Sequence, residues 1–123
     1  MPYKTPERDV VAIMDAPPTP VALLAPGGRF VALVHYESHP PVALLARPYR
    51  PLAGIRVDPG LAARQRVRRL TGLSVLRLAD GAERAVALPE GAQPSVPAWA
   101  PDGRTFAFRV DAADGIGVWV ADA

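Results

Sequence analysis

A ten-residue pattern occurs twice in this chain, and it constrains the fold more than any other feature. Leu24–Leu33 aligns with Trp99–Phe108, and both segments read apolar, Ala, Pro, x, Gly, Arg, x, apolar, Ala, apolar. In each copy a Pro-x-Gly turn joins two short apolar runs, and Pro and Gly supply the backbone angles that tight turns require. The repeat predicts two copies of one hairpin-based unit.

A shorter pair of segments sets the spacing of the repeat. Leu76–Asp80 resembles Val118–Asp122, which places Asp80 and Asp122 42 residues apart. A period of about 40–50 residues is typical of a β-propeller blade. The first copy is longer between its turn and its Ala-Asp pair, which predicts an insertion near residues 37–69. We therefore expect an all-β chain of about two blades of an incomplete β-propeller, the first interrupted. A small β-sandwich with chance similarity in its turns is the alternative.

The local signals divide the chain into a lead-in and a repeated part. Residues 1–20 predict a short helical turn, capped by Thr5 or Asp9, and then an extended proline-rich path. Residues 21–123 predict the partial propeller, with hairpin tips at Asp80-Gly81 and Asp102-Gly103. Five prolines break the insertion, which we expect to have little regular structure: Pro40, Pro41, Pro48, Pro51 and Pro59.

Apolar patterning predicts the core. The continuous apolar run in Phe30–Tyr36 indicates a strand buried on both faces. Aromatic residues at strand positions are expected to pack between blades, namely Trp99, Phe106, Phe108 and Trp119. Ala121–Ala123 is expected to begin a turn, with a hairpin partner following beyond the given sequence.

Composition excludes several classes of protein. Half of the residues are hydrophobic and 21% are charged, which indicates a globular chain, and no apolar run is long enough for a transmembrane helix. Zero cysteines exclude disulfides, thiol catalysis and Cys-ligated zinc. A net charge of only +2 gives little reason to expect nucleic acid or membrane as partners. The compartment stays open: we expect a cytoplasmic chain from the sequence as written, and a periplasmic or secreted one if an upstream signal peptide was lost.

Catalytic and metal-binding patterns are absent from the sequence. None of Ser38, Ser74 and Ser95 lies in the Gly-x-Ser-x-Gly of a nucleophile elbow. His35 and His39 have the i, i+4 spacing of a helical metal site, yet two prolines follow, so we interpret them as polar residues at a strand end. We expect no catalytic, cofactor or metal residues. The aspartates are interpreted as turn residues: Asp80, Asp102, Asp111, Asp114 and Asp122.

Residues 64–69 form the one cluster of positive charge. In a strand, Arg64, Arg66 and Arg68 share a face. Two interpretations remain: a solvated loop, or a rim of the molecule that attracts acidic peptides. Nucleic acid is disfavoured because no aromatic residues alternate with the arginines to stack bases.

Several segments resemble one enzyme family. Trp99–Phe108 followed by Val118–Asp122 resembles propeller repeats of the TolB and prolyl-oligopeptidase type. Four further segments resemble the start of bacterial S9 serine peptidases of the glutamyl-endopeptidase-like branch: Tyr3–Pro6, Val10–Pro20, Pro51–Pro59 and Leu70–Leu73. The chain departs from the family at Gly27, where Asp is usual, and at Ala25 and Ala100, where Ser is common.

The resemblance implies a function. In that family a propeller comes first, a hydrolase domain with Ser, Asp and His comes last, and the propeller limits access to peptides. The chain would then be a non-catalytic N-terminal propeller segment of a serine peptidase. Its partners would be the remaining blades, the hydrolase domain and peptides, and the family's glutamyl preference makes Arg64, Arg66 and Arg68 a substrate-facing rim. A TolB-like binding scaffold with no attached enzyme is the alternative, and a free-standing small β domain is a third.

Overall fold

The computed structural model describes residues 4–112 and 115–123. Tyr3, which enters the resemblance, and Asp114, expected in a turn, lie outside the described residues. Strands dominate, with one helix of two turns and one of a single turn. The helices are α1 (Arg8–Asp15) and α2 (Val42–Leu45). The strands are β1 (Val21–Leu24), β2 (Phe30–Tyr36), β3 (Arg50–Leu52), β4 (Ile55–Asp58), β5 (Ala63–Arg64), β6 (Leu70–Arg77), β7 (Glu83–Ala85), β8 (Gln93–Pro94), β9 (Ala98–Trp99), β10 (Thr105–Ala112) and β11 (Gly115–Asp122).

The first sheet is antiparallel and has the order β1-β2-β6-β7. Between β6 and β7 the chain reverses at Asp80-Gly81, where Gly81 has φ +71° and the Arg77 amide donates to the Ala82 carbonyl at 2.8 Å. A positive φ is readily adopted by glycine, which explains its place in this turn. The predicted hairpin tip is confirmed.

The second sheet is built around β10, which pairs with β11 on one side and with β8 and β9 on the other. Ser95 connects the two short strands: its amide donates to the Arg109 carbonyl at 2.7 Å, and its hydroxyl accepts from the Arg109 amide at 2.9 Å. Residues 93–99 thus form one strand interrupted between two prolines, which cannot donate to the ladder. Asp102-Gly103 forms the turn into β10, again as predicted.

The backbone confirms the repeat and corrects its register. Ala25 donates to Phe30 O at 2.9 Å, and Ala100 donates to Thr105 O at 2.8 Å, so the two Pro-x-Gly turns are equivalent. A second bond is also equivalent in the two copies: the Leu78 amide donates to Arg29 O in the first, and the Ala123 amide donates to Arg104 O in the second. Leu78 therefore corresponds to Ala123.

The predicted alignment of Asp80 with Asp122 is three residues out. Asp122 lies in β11 opposite Thr105, as Arg77 in β6 lies opposite Phe30. Ala121 and Asp122 are strand residues, so the turn expected over Ala121–Ala123 is wrong there. The sequence alignment matched identical residue types, but strand register is fixed by backbone pairing rather than by side-chain identity.

The insertion is more regular than predicted. Its strands form a small sheet of order β3-β4-β5, with Ala53-Gly54 turning the chain between β3 and β4. The buried Asp58 carboxylate accepts from the Gly60 amide at 2.9 Å and pairs with Arg47, so hydrogen bonds organise a segment that few apolar contacts hold. The expectation of little regular structure overlooked this local pairing.

The main core lies between the two sheets. It joins Val34, Leu73 and Val75 of the first sheet to Phe106, Phe108 and Val110 of the second. Trp99 packs edge-on against Phe106 and donates its indole N–H to Leu23 O at 3.0 Å. Trp119, predicted to lie in the core, is 40% exposed because it lies on edge strand β11.

Strand β2 is buried on one face rather than two. Ala32 and Val34 are buried, whereas Val31 and Leu33 on the other side are only half-buried. The second sheet covers only the Val34 side of the first sheet. A continuous apolar run therefore does not by itself show that both faces of a strand are buried.

Helix α1 lies within the predicted lead-in, where a short helical turn was expected. Glu7, rather than Thr5 or Asp9, occupies its N-cap, and no side chain bonds there. None of its residues is buried. Neither helix of the described chain is long and apolar enough to cross a lipid bilayer.

Candidate binding groove

An open groove of about 640 Å³ lies where the insertion meets the two sheets. We call it the arginine groove. Its apolar part includes Val21 and Val34 of the first sheet and Val96 before β9. Four arginines line it as well: Arg64, Arg66, Arg68 and Arg109. An apolar surface with charged groups at defined points is the usual composition of a ligand-binding cleft.

Arg66 fixes one wall of the groove to the second sheet. Its guanidinium donates to Pro94 O at 2.9 Å and lies 3.1 Å from Asp111 Oδ2. Burial lowers the pKa of Arg66, while the Asp111 carboxylate raises it and the Arg109 charge lowers it. A guanidinium remains protonated at neutral pH even so. Arg66 is therefore largely committed to holding the insertion in place.

Asp111 is shared by two arginines. Arg109 Nε lies 2.8 Å from Asp111 Oδ1, and an Arg109 NH2 donates to Oδ2 at 3.1 Å, beside the contact from Arg66. One carboxylate therefore faces two guanidinium groups, which leaves the cluster one positive charge in excess. Asp111 was predicted to be a turn residue, and the structure places it in β10.

The other two arginines are available to a ligand. The Arg68 guanidinium lies 4.1 Å above the Tyr36 ring, a cation–π contact that orients it without neutralising it. Arg64 is exposed. Among residues 4–112 and 115–123, neither Arg64 nor Arg68 forms an ion pair. The groove thus presents positive charge that no described carboxylate balances.

The three arginines singled out in the sequence all line one groove. They do not reach it by sharing one face of a strand, as was predicted. Only Arg64 is in a strand, and residues 65–69 are irregular, so no strand alternation aligns them. The sequence reasoning missed Arg109. The available signal was a charged residue within the apolar run of β10, a position that requires a partner when it is partly buried.

A second polar cluster lies on the other side of the first sheet. The Ser74 hydroxyl donates to Glu83 Oε1 at 2.6 Å, and His35 Nε2 lies 2.8 Å from the same oxygen atom of Ser74. The three residues come from the neighbouring strands β2, β6 and β7. His35 was predicted only as a polar residue at a strand end, and His39 is exposed.

This Ser–His–Glu cluster lacks the geometry of a catalytic triad. In a triad the histidine lies between the acid and the serine and takes the serine proton. Here the serine is in the middle, its one proton is directed at Glu83, and Ser74 is only 4% exposed. The cluster instead satisfies three polar side chains across adjacent strands.

The remaining aspartates have structural roles. The Arg77 side chain and the Ala82 amide hold the pKa of Asp80 below its ordinary value, and the Arg104 and Thr105 amides do the same for Asp102. Both are turn residues, as predicted, but Asp122 is a strand residue. In the part of the chain that the structure describes, no three His, Asp or Glu side chains come together as a metal site.

These features define a class of protein: paired antiparallel sheets built on a repeat, with a positively charged groove at one end. The chain resembles part of two plant proteins. It is 35% identical over 133 residues to "Probable glutamyl endopeptidase, chloroplastic" of Oryza sativa subsp. japonica, which covers 99% of this chain. It is 34% identical over 130 residues to the protein of the same name from Arabidopsis thaliana, which covers 98% of it.

The chain is therefore related to a part of two proteins that are named as peptidases, and it spans about 14% of the length of these curated relatives. No protein-family model matches it, and no solved structure matches it. The aligned region covers nearly the whole chain, including both sheets and the insertion.

Proposed function

We propose that this chain is a non-catalytic, N-terminal β-propeller segment of an S9-type serine peptidase of the glutamyl-endopeptidase kind. In this proposal its sheets are two consecutive blades, and further blades and a hydrolase domain in the longer protein are its partners. The segment gates the access of peptides to the hydrolase domain. The observation that carries the proposal is the similarity, over 99% and 98% of this chain, to two proteins named "Probable glutamyl endopeptidase, chloroplastic".

The fold supports the assignment to a propeller. The first sheet has four antiparallel strands whose order in space follows the chain once the insertion is left out, and the second sheet repeats the first three in the same order. The sheets pack face to face through one apolar core. Four-stranded sheets that repeat and stack in this way are the units of propellers.

The arginine groove supports a role in substrate recognition. Guanidinium groups bind carboxylates through paired hydrogen bonds, and Arg64 and Arg68 have no carboxylate partner among the described residues. We propose that these two residues contact acidic side chains of peptides, while Arg66 and Arg109 hold the groove together. The name of the relatives refers to glutamyl residues, which agrees with this chemistry.

The test of the enzyme class compares residues 1–123 with the longer protein that contains them. Both are treated with an active-site serine probe and with a peptide substrate that contains glutamate. We expect the longer protein to be labelled and to cleave the peptide, and the short chain to do neither. Labelling or turnover by residues 1–123 contradicts the non-catalytic role.

A second measurement tests the groove. A fluorescein-labelled hexaglutamate peptide is titrated with the chain, and hexaglutamine is the neutral control. The variant R64Q/R68Q should weaken binding about tenfold, because two charge-assisted contacts are lost. R29Q/R50Q, which removes the same charge from exposed positions outside the groove, should leave binding nearly unchanged. Equal losses in both variants would show that net charge, not the groove, attracts the peptide.

A TolB-like binding scaffold is the second candidate, because its repeats share the Pro-x-Gly turn and strand order described above. It predicts binding without hydrolysis. A longer protein with an intact Gly-x-Ser-x-Gly that cleaves no peptide favours this candidate over the peptidase.

A further inference from the structure

The arginine groove contains exposed apolar surface that the recognition of a carboxylate does not use. Three of its valines, Val21, Val67 and Val96, are 42%, 44% and 56% exposed. They come from three separate parts of the chain, namely β1, the insertion and the segment before β9. Single exposed apolar side chains are common on protein surfaces, but three that line one concavity indicate a contact with an apolar group.

Polar contacts hold two of these valines in place. Val67 follows Arg66, whose guanidinium donates to a backbone carbonyl of β8 at 2.9 Å. Val96 follows Ser95, whose amide donates to the Arg109 carbonyl at 2.7 Å. Both walls are therefore fixed before a ligand arrives, and a ligand that fits between them loses little affinity to the ordering of the protein.

The apolar and charged parts of the groove are neighbours. Val67 directly precedes Arg68, so their Cα atoms are about 3.8 Å apart. The Arg68 guanidinium lies 4.1 Å above the ring of Tyr36, which also lines the groove. Successive residues of an extended peptide are about 3.3 Å apart. A peptide whose carboxylate meets Arg68 therefore brings its adjacent residues within reach of Val67.

We propose that the arginine groove selects peptides in which an aliphatic side chain lies next to an acidic one. The acidic side chain binds Arg64 or Arg68, and the aliphatic one packs against the three valines. This inference rests on the proposed function, in which the groove binds acidic peptides, and it adds the second feature that such a peptide must have. A purely acidic peptide leaves the valines in contact with water, so it forgoes the apolar part of the binding free energy.

Two peptides of equal charge test the preference. The longer protein that contains this chain is first treated with the active-site serine probe, so that a peptidase would not cleave the ligand. Fluorescein-labelled EELLEE and EEQQEE are then titrated with it. We expect EELLEE to bind about tenfold more tightly, because a leucine side chain is removed from water only in this complex. R64Q/R68Q should weaken the binding of both peptides alike.

Matched valine substitutions assign the preference to the groove. V67T/V96T keeps the shape of both side chains and replaces one methyl group of each with a hydroxyl. It should bring the affinity for EELLEE to within about twofold of that for EEQQEE, which itself should not change. V10T/V42T alters two valines outside the groove that are 48% and 79% exposed, and it should retain the full preference.

The remaining outcomes overturn the inference. Equal binding of the two peptides would show that the valines are not used, and a loss in R64Q/R68Q would then still support the recognition of acidic peptides. A preference for EELLEE that survives in V67T/V96T would mean that another surface binds the leucines. If R64Q/R68Q changes neither affinity, the groove is not the peptide site and its proposed role fails as well. Circular dichroism checks folding, and V67A/V96A replaces V67T/V96T if the latter unfolds.

Discussion

The first and second sheets share a repeat but differ in what surrounds them. In the first, β7 pairs along β6 and carries Glu83 and Arg84, charges that discourage further strand pairing. In the second, β11 is an edge strand with no charged residue from Gly115 to Ala121. Val75 is buried and the equivalent Val120 is exposed, although both are valines in the same register. Burial in a repeat is thus decided by the neighbouring unit rather than by the residue.

The largest difference between equivalent positions should appear at the glycines of the two Pro-x-Gly turns. Gly28 and Gly103 have φ of +65° and +64°, but a Cβ on Gly103 would lie 1.9 Å from Pro26 O, whereas one on Gly28 meets nothing within 4 Å. Gly28→Ala should cost roughly 1–2 kcal/mol for the left-handed backbone alone. Gly103→Ala should cost more than about 3 kcal/mol, since the turns must also separate. Urea denaturation measures both, and similar losses would refute the close approach of the turns.

The next largest difference in stability is expected between substitutions of the two equivalent valines. Val75→Ala removes buried methyl groups from the core and should lower the free energy of unfolding by about 2 kcal/mol. Val120→Ala changes an exposed side chain and should stay within about 0.5 kcal/mol. Both are read from chemical denaturation. A large loss for Val120→Ala would mean that its face is covered.

A smaller effect is expected at the indole that joins the sheets. Trp99→Phe keeps an aromatic ring beside Phe106 but removes the donor to Leu23 O, which should cost about 1 kcal/mol. Leu24, the equivalent residue, is exposed, so Leu24→Ala should have almost no effect. The same denaturation assay applies, and an unchanged stability in Trp99→Phe contradicts a net contribution from this bond.

The smallest effect is expected on the thermal stability at acid pH. Amide hydrogen bonds from Arg104 and Thr105 keep the pKa of Asp102 below its ordinary value of 3.8, so the carboxylate favours folding above that pH. This contribution is lost as pH falls through the lowered folded pKa. Asp102→Asn should therefore flatten the decline of Tm below about pH 4. Asp80→Asn, in the other sheet's turn, should act in the same direction, and steeper acid sensitivity in either variant contradicts the assignment.

Local signals explain why much of the fold could be predicted. The turns at Asp80-Gly81 and Asp102-Gly103 depend on a few adjacent residues, and the sequence contains all of them. The end of the repeat was misplaced because Ala-Asp recurs by chance in two different environments. The insertion's sheet was missed because its prolines concealed short pairings held by Asp58.

Only a part of the arginine groove could be predicted from the sequence. Arg64, Arg66 and Arg68 stood out as a cluster, but no local rule pairs Arg66 with Asp111, which is distant in the chain. Such contacts depend on how the insertion sits against the second sheet. A charged residue in an apolar strand, such as Arg109, indicates only that a partner exists, not which one it is.

The insertion leaves the first sheet and returns to it through a narrow neck. The Glu37 amide donates to Arg69 O at 3.1 Å, and the Arg69 side chain pairs with Glu37, so entry and exit are held together. Lengthening a loop whose ends are already fixed adds little closure entropy. Evolution can therefore lengthen, shorten or exchange this segment while the strands beneath it keep their register. The neck is therefore the natural point at which to graft a different loop.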